Sequence, residues 1–147
     1  MMVPLNLPTA ELSLKRQNDQ VFVLCQIRRK WLQLTPEEWV RQHLLVYLIT
    51  HKNILKGRIA VEMTVTYNGM QKRCDIVVLD AEARPLAIVE CKAPEIPLGT
   101  AVFEQIAQYN RALNVEYLIL SNGMEHIISR IDRENGQLEF LQDLPNL

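Results

Sequence analysis

Asp75, Glu90 and Lys92 are the residues of this 147-residue chain whose types and spacing can do chemistry. Asp75 opens one apolar run, Ile76-Val-Val-Leu79, and Glu90-Cys-Lys92 closes the next, Leu86-Ala-Ile-Val89. Both runs read as buried strands, and charged groups beside such strands are stable only when paired or bound to a cation. The stretch from Asp80 to Pro85 is polar and turn-favouring, and Pro85 cannot continue a ladder. A turn centred on Ala81–Arg84 sets Asp75 directly opposite Glu90. Strand alternation then places Asp75, Glu90 and Lys92 on one face with Val77, Leu79, Leu86 and Ile88, leaving Ile76, Val78, Ala87 and Val89 for the other. Opposed carboxylates repel unless a cation lies between them. Their hard oxygens suit Mg²⁺, with Mn²⁺ as a substitute. Lys92, one step further along, can stabilise a phosphorane-like transition state or help deprotonate the attacking water. The chemistry expected is metal-dependent hydrolysis of a phosphodiester. Alone, the same pattern more often marks solvated strand ends or an ordinary salt bridge.

Two further segments add polar residues at helical spacing. In Thr35-Pro-Glu-Glu38-Trp-Val-Arg41, Thr35 reads as an N-cap, Pro36 as the first helical residue and Glu38 as the third, which is a capping box. In Phe103-Glu-Gln105-Ile-Ala-Gln-Tyr109, Gln105 and Tyr109 stand four apart and share a helix face. Taken with Glu90-Cys-Lys-Ala-Pro94 and Ser121-Asn-Gly123, these segments resemble the N-terminal nuclease domain of type I restriction enzyme R subunits, within the PD-(D/E)XK nuclease superfamily. The resemblance runs from about residue 20 to about residue 140. It implies an α/β fold with a restriction-endonuclease-like core, a mixed central sheet flanked by helices in the order α-β-β-β-α-β. It implies a Mg²⁺-dependent deoxyribonuclease in which Asp75, Glu90 and a helix glutamate bind the metal, the Cys91 carbonyl faces it, and Lys92 assists the water. Gln105 and Tyr109 then orient Lys92 or a phosphate. The helix glutamate is Glu38, three residues before Arg41 as in the family, with Glu37 as its competitor; a capping role is the other use for Glu38. Cys74 stands where the superfamily often has proline.

Composition bounds these expectations. A hydrophobic fraction of 48% is enough for a core, and a net charge of −1 rules out a generally basic nucleic-acid binder. DNA contact must come from a local patch, with Arg28, Arg29, Lys30, Lys52, Lys56, Arg58, Lys72, Arg73 and Arg111 as candidates. Cys25, Cys74 and Cys91 form no zinc pattern; the register above sets Cys74 opposite Cys91, away from the site, as a reduced pair or a cross-strand disulfide. His43, His51 and His126 do not cluster. No signal peptide or membrane-length apolar segment is present, so a cytoplasmic protein is expected. A phosphate loop is absent as well, whereas type I R subunits carry an ATP-driven motor, so the expectation is a free-standing relative of their nuclease domain. Homodimerisation or association with other restriction subunits is the expected assembly. A non-cleaving nucleic-acid-binding or accessory module is the alternative.

The elements that must position the site follow from periodicity. Residues 1–19 read as an N-terminal arm and 20–147 as a single domain. Val21–Cys25 and Trp31–Leu34 are short strands, and residues 36–50 a helix with Val40, Leu44, Tyr47 and Leu48 inward. Ile59–Tyr67 alternates as a strand, and Asn68-Gly69 is a hairpin turn. The two central strands come next, then a helix over residues 100–113 capped by Thr100, with Val102, Ile106 and Leu113 as its stripe. Tyr117–Leu120 is a buried strand. Ile127–Ile131 and Leu138–Leu141 close the chain as a hairpin.

Overall fold

Two Asn-led turns reverse the chain tightly. Asn18-Asp19 has φ of 53° and 63°, and Asn68-Gly69 has φ of 49° and 79°. Both pairs occupy the left-handed region that a two-residue hairpin turn requires. The computed structural model, which describes residues 2–147, divides the strands between two sheets. The first is three-stranded: β1 (Leu14–Gln17), β2 (Gln20–Cys25) and β3 (Lys30–Gln33), each antiparallel to the next. The second is six-stranded, in the order β4 (Ile59–Tyr67), β5 (Met70–Leu79), β6 (Pro85–Cys91), β7 (Tyr117–Ser121), β8 (His126–Ile131) and β9 (Leu138–Leu141). Only β6 and β7 run parallel, joined across α2 (Thr100–Leu113). Helix α1 (Pro36–Val46) precedes β4 and runs on through a π-helical turn, Tyr47–His51. The expected order, helix, three strands, helix, strand, with a closing hairpin, is the order observed. No helix among the described residues is long and apolar enough to cross a membrane.

The sheet is covered on both faces. Val40, Leu44, Leu45 and Leu48 pack with Ile76, Val78, Val89 and Ile119 on one side. On the other, Leu113 meets Val77 and Ile88, while Phe103, Ile106 and Ala107 meet Leu118 and Leu120. The α2 stripe is therefore led by buried Phe103, with Val102 only part-buried. Thr100 does not cap α2: Gly99 is the N-cap residue and no side chain serves there.

One interruption shapes the site. Pairing of β4 with β5 runs on either side of Glu62 and Asp75, as Val61↔Ile76 and Met63↔Cys74, and skips those two. Glu62 has φ of 54°, a left-handed conformation that costs a residue with a Cβ about 1–2 kcal/mol. Faces reverse there. Ile59 and Val61 pack with Ile76 and Val78 toward α1, whereas Met63 and Val65 pack with Cys74 and Val77 toward α2. The expected Cys74–Cys91 neighbourhood fails for this reason. Cys74 lies in the α2-side core and Cys91 in the α1-side core, both free and buried. Burial pushes the Cys74 thiol up to about 12 and raises that of Cys91 as well, so both are inert.

The segment expected as an arm is tied down. Trp39 Nε1 donates to the Val3 carbonyl at 2.8 Å, and Asn6 N–H donates to the Gly123 carbonyl at 2.8 Å. Leu5 and Leu7 pack on the α1-side core. Gly123 has φ of 85°, which the Ser121-Asn-Gly123 motif needs a glycine to adopt without strain; a Cβ there would also press on the Leu5 side chain. The motif's other members also build structure. Asn122 Oδ1 accepts from the Met124 and Glu125 N–H groups, and Ser121 Oγ meets His126 Nδ1 at 2.7 Å.

Candidate metal centre

The β5–β6 hairpin delivers the strand carboxylates. Ile76↔Val89, Val77↔Ile88 and Val78↔Ala87 pair in the register expected from the turn, and the same register carries Asp75 to the level of Glu90. The one irregularity, between Val78 and Leu79, lies on the turn side and leaves the site end undisturbed. Asp75 uses its freedom from the β4 ladder to reach across the hairpin. Its Oδ2 accepts the Cys91 N–H at 2.7 Å, and its Oδ1 lies 3.5 Å from Arg41 Nη2. Glu90 is only 8% exposed. Burial pushes its carboxyl up to about 7; the Lys72 ammonium bonded to it works the other way, and the neighbouring Asp75 carboxylate adds to the rise.

Glu38 faces the same network through Arg41. Thr35 Oγ1 accepts the Glu38 N–H at 3.1 Å, so the first half of the capping box exists. Its reciprocal half does not. The Glu38 carboxylate turns to Arg28 Nη2, at 3.1 and 3.2 Å, and to Gln42 Nε2 at 2.9 Å. Arg41 is the hub: 4% exposed, it lies 3.2 Å from Glu62, 3.4 Å from Glu37, 3.5 Å from Glu38 and 3.5 Å from Asp75. Burial opposes its charge, but Glu38 and Asp75 lead the carboxylates that outweigh this and raise its pKa. Glu37 stands on the exposed side, with 47% of its side chain accessible.

The remaining expected residues lie around this core. Lys92 follows β6, its N–H donating to the Ser121 carbonyl at 2.8 Å; among the described residues its ammonium has no partner. Gln105 and Tyr109 share the exposed face of α2, where Tyr109 meets Lys72 rather than Lys92. Arg73 bonds Glu62 at 2.6 Å and holds the Glu62 carboxyl below its ordinary range. Most of the expected basic patch is consumed in such ties. Arg28 serves Glu38, Lys52 the Leu144 carbonyl, Arg58 the Leu79 carbonyl and Arg111 the Gly136 carbonyl. Sequence reasoning named Lys72 only as a DNA-contact candidate and missed Glu62 as a member of the site. Lys72 stands three residues before Asp75, which strict alternation puts on the opposite face; only the reversal at Asp75 brings it to Glu90.

Asp75 and Glu90 fit a hard divalent cation. Both are carboxylates of one hairpin end, and each is already neutralised by a cation, Arg41 or Lys72. Among the described residues no third acidic, histidine or cysteine side chain gathers with them as a ligand set. Mg²⁺ commonly takes one or two carboxylates and keeps several waters, so two suffice. The Glu90 shift gives a test. A carboxyl raised from its ordinary range to about 7 contributes stability that is full below about pH 4.5 and lost as pH rises through about 7. Metal bound at Glu90 must displace that proton. Affinity for Mn²⁺ should therefore rise about tenfold per pH unit up to about 7 and level off above. Calorimetry in buffers of different ionisation heat reads the released proton directly; pH-independent affinity would remove Glu90 from the ligands.

A family described as Type I restriction enzyme R protein N terminus (HSDR_N) matches residues 36–145, from the start of α1 to beyond β9. No curated protein matches the chain. Among solved structures, a fragment assigned to the HsdR subunit of a type I restriction enzyme from Vibrio vulnificus YJ016 is similar at 23% identity and a TM-score of 0.42. That match takes in 69% of this chain, which spans 23% of the length of the other.

Proposed function

This chain belongs to the type I restriction enzyme R protein N-terminus family, and we propose that it is a metal-dependent DNA endonuclease domain with a PD-(D/E)XK core. The observation that carries the reading is the convergence of Asp75 and Glu90, one of them buried, at the end of a hairpin whose register fixes both. Each is held by a protein cation, Asp75 by Arg41 and Glu90 by Lys72, and two carboxylates at one hairpin end still offer the hard oxygens that Mg²⁺ prefers. The order of α1, β4, β5, β6, α2 and β7 supports the core assignment. A divalent ion, Mg²⁺ or Mn²⁺, supplies positive charge at the scissile phosphate and a lower pKa for the attacking water. Asp75 and Glu90 hold it, with the Cys91 carbonyl beside them; Asp75 is itself aligned by the Cys91 N–H. Lys92, unpaired at the end of β6, stands ready to orient the water or meet the developing charge. Glu38 acts through Arg41 as a positioning residue. Gln105 and Tyr109 offer the DNA an exposed polar and aromatic face. The partners are DNA and, for cutting both strands with one site per chain, a second copy or other restriction subunits; the setting is the cytoplasm.

A second reading, a non-cleaving DNA-binding or accessory module, is favoured by the ion pairs that occupy Glu38, Asp75 and Glu90 and by the lack of a third ligand among the described residues. Plasmid cleavage separates the two. Wild type should nick or linearise DNA with Mg²⁺ or Mn²⁺ and not with a chelator. Lys92→Ala should cut at least about a hundredfold more slowly while melting within a few degrees of wild type, because its side chain has no structural partner. Wild type that cuts no DNA form with either ion supports the module instead.

A further inference from the structure

Lys72 is the cation that the reading above leaves without a role. Its ammonium pairs with Glu90 Oε1, and the two side chains are 18% and 10% exposed. The same Nζ lies 5.9 Å from the centroid of the Tyr109 ring. Tyr109 is 38% exposed and borders an open depression shared with Met70, Gln105 and Gln108. One ammonium thus stands between a buried carboxylate and an exposed polar and aromatic shelf.

The two neighbours make opposite demands. A divalent ion at Glu90 and the Lys72 ammonium compete for the same oxygen and repel each other. An ammonium that loses its carboxylate cannot remain buried alone. Its flexible stem lets it swing outward, and the shelf beside Tyr109 is the adjoining surface. There it would meet a chain of net charge −1 whose other basic groups are largely tied to internal partners. A free cation at that spot changes what the surface can hold: an ammonium is a compact point charge for a phosphate.

We propose that Lys72 is a displaceable counter-ion that couples metal loading to DNA binding: metal at Glu90 releases its ammonium to a backbone phosphate lying along the Gln105–Tyr109 face. The inference rests on the nuclease reading. Lys72 is a positioning residue for Glu90 in one arrangement and a phosphate contact in the other.

Lys72→Met removes the charge and keeps much of the stem; Lys72→Gln is the second variant should the first fold poorly, with melting curves to verify both. At pH 8 either should bind Mn²⁺ about tenfold more tightly than wild type, having lost the competing cation. DNA binding is then measured by anisotropy on a short labelled duplex, in a Lys92→Ala background so that cutting is slow on the timescale of the measurement. With Mn²⁺, the Lys72 variant should bind about tenfold more weakly, and its log-affinity against log-salt slope should be shallower by about one. With a chelator instead, the two proteins should bind DNA alike. Wild type that takes up no Mn²⁺ overturns the nuclease reading and this inference with it. Wild type that binds Mn²⁺ no more weakly than the Lys72 variants overturns this inference alone. A loss of DNA affinity that is the same with metal and with chelator also overturns it, since Lys72 would then be a fixed contact.

Discussion

Asp75→Asn should fold and should lose metal-stimulated DNA cleavage by about a thousandfold, equivalent to about 4 kcal/mol of transition-state stabilisation. The substitution is chosen for its narrowness. An asparagine oxygen can still accept the Cys91 N–H that Asp75 Oδ2 accepts at 2.7 Å, so the hairpin keeps its cross-link. What disappears is a negative charge at the candidate metal centre. Two consequences should appear together. Calorimetric heat for Mn²⁺ should fall below detection, and the thermal stabilisation that Mn²⁺ gives wild type should vanish. Arg41 loses one of its partners but keeps Glu37, Glu38 and Glu62, so the melting point without metal should change little. Equal Mn²⁺ heats for the two proteins would dismiss the site, whatever the cleavage assay shows.

Arg41→Met should destabilise the fold strongly. The guanidinium is 4% exposed and ringed by Glu37, Glu38, Glu62 and Asp75. Removing the guanidinium takes the cation from Asp75 and one of two from Glu38 and Glu62, which keep Arg28 and Arg73, at a cost of up to about 3–5 kcal/mol. For a chain of this size that lowers the melting temperature by on the order of 10 °C. Urea unfolding should show a lower midpoint with an unchanged slope, which separates lost stability from a changed unfolded state. Glu37→Gln is the control. Its side chain is 47% exposed, and a surface partner of this kind is worth at most about 1 kcal/mol. A melting point for Arg41→Met within about 2 °C of wild type would mean that the carboxylates rearrange onto other cations, Arg28 and Arg73 being nearest.

The fold was legible where period and turn chemistry agreed. Asn68-Gly69 and the apolar runs at Ile76 and Leu86 fixed the central hairpins, and the opposition of Asp75 and Glu90 followed from one turn; the alternation of Ile59–Tyr67 located a strand but not its faces, which reverse at Glu62. Strand β1 was illegible: Leu14–Gln17 is exposed throughout and has no apolar alternation. Its signal was the Asn18-Asp19 turn. The docking of residues 3–7 left no trace in periodicity either, because it rests on single contacts such as that between Trp39 and Val3. The candidate site divides the same way. Residues within one hairpin were placed by counting. The partners that neutralise them, Arg41 on Asp75 and Lys72 on Glu90, depend on how a helix packs and where a strand turns over, and counting along the chain has no access to either. Gln105 and Tyr109 were paired correctly on a helix face, but that face looks toward Lys72.

Strand β4 keeps a constant pairing sum with β5 on both sides of Glu62 and Asp75, and this has a consequence for how the chain could have been assembled. Take the two residues away together and every remaining apolar side chain keeps its present face: Val61 is followed by Met63, and Cys74 by Ile76, in ordinary alternation. The hairpin is thus a regular ribbon carrying one inserted residue in each strand at the same rung. One insertion is an acid at the candidate centre, and the other, in a left-handed conformation, is an acid that ties Arg41 and Arg73 beside it. In evolutionary terms the scaffold is separable from its chemistry. Deleting Glu62 and Asp75 together would leave the same strand partners and an ordinary alternation, and would remove one of the two strand carboxylates while Glu90 stayed.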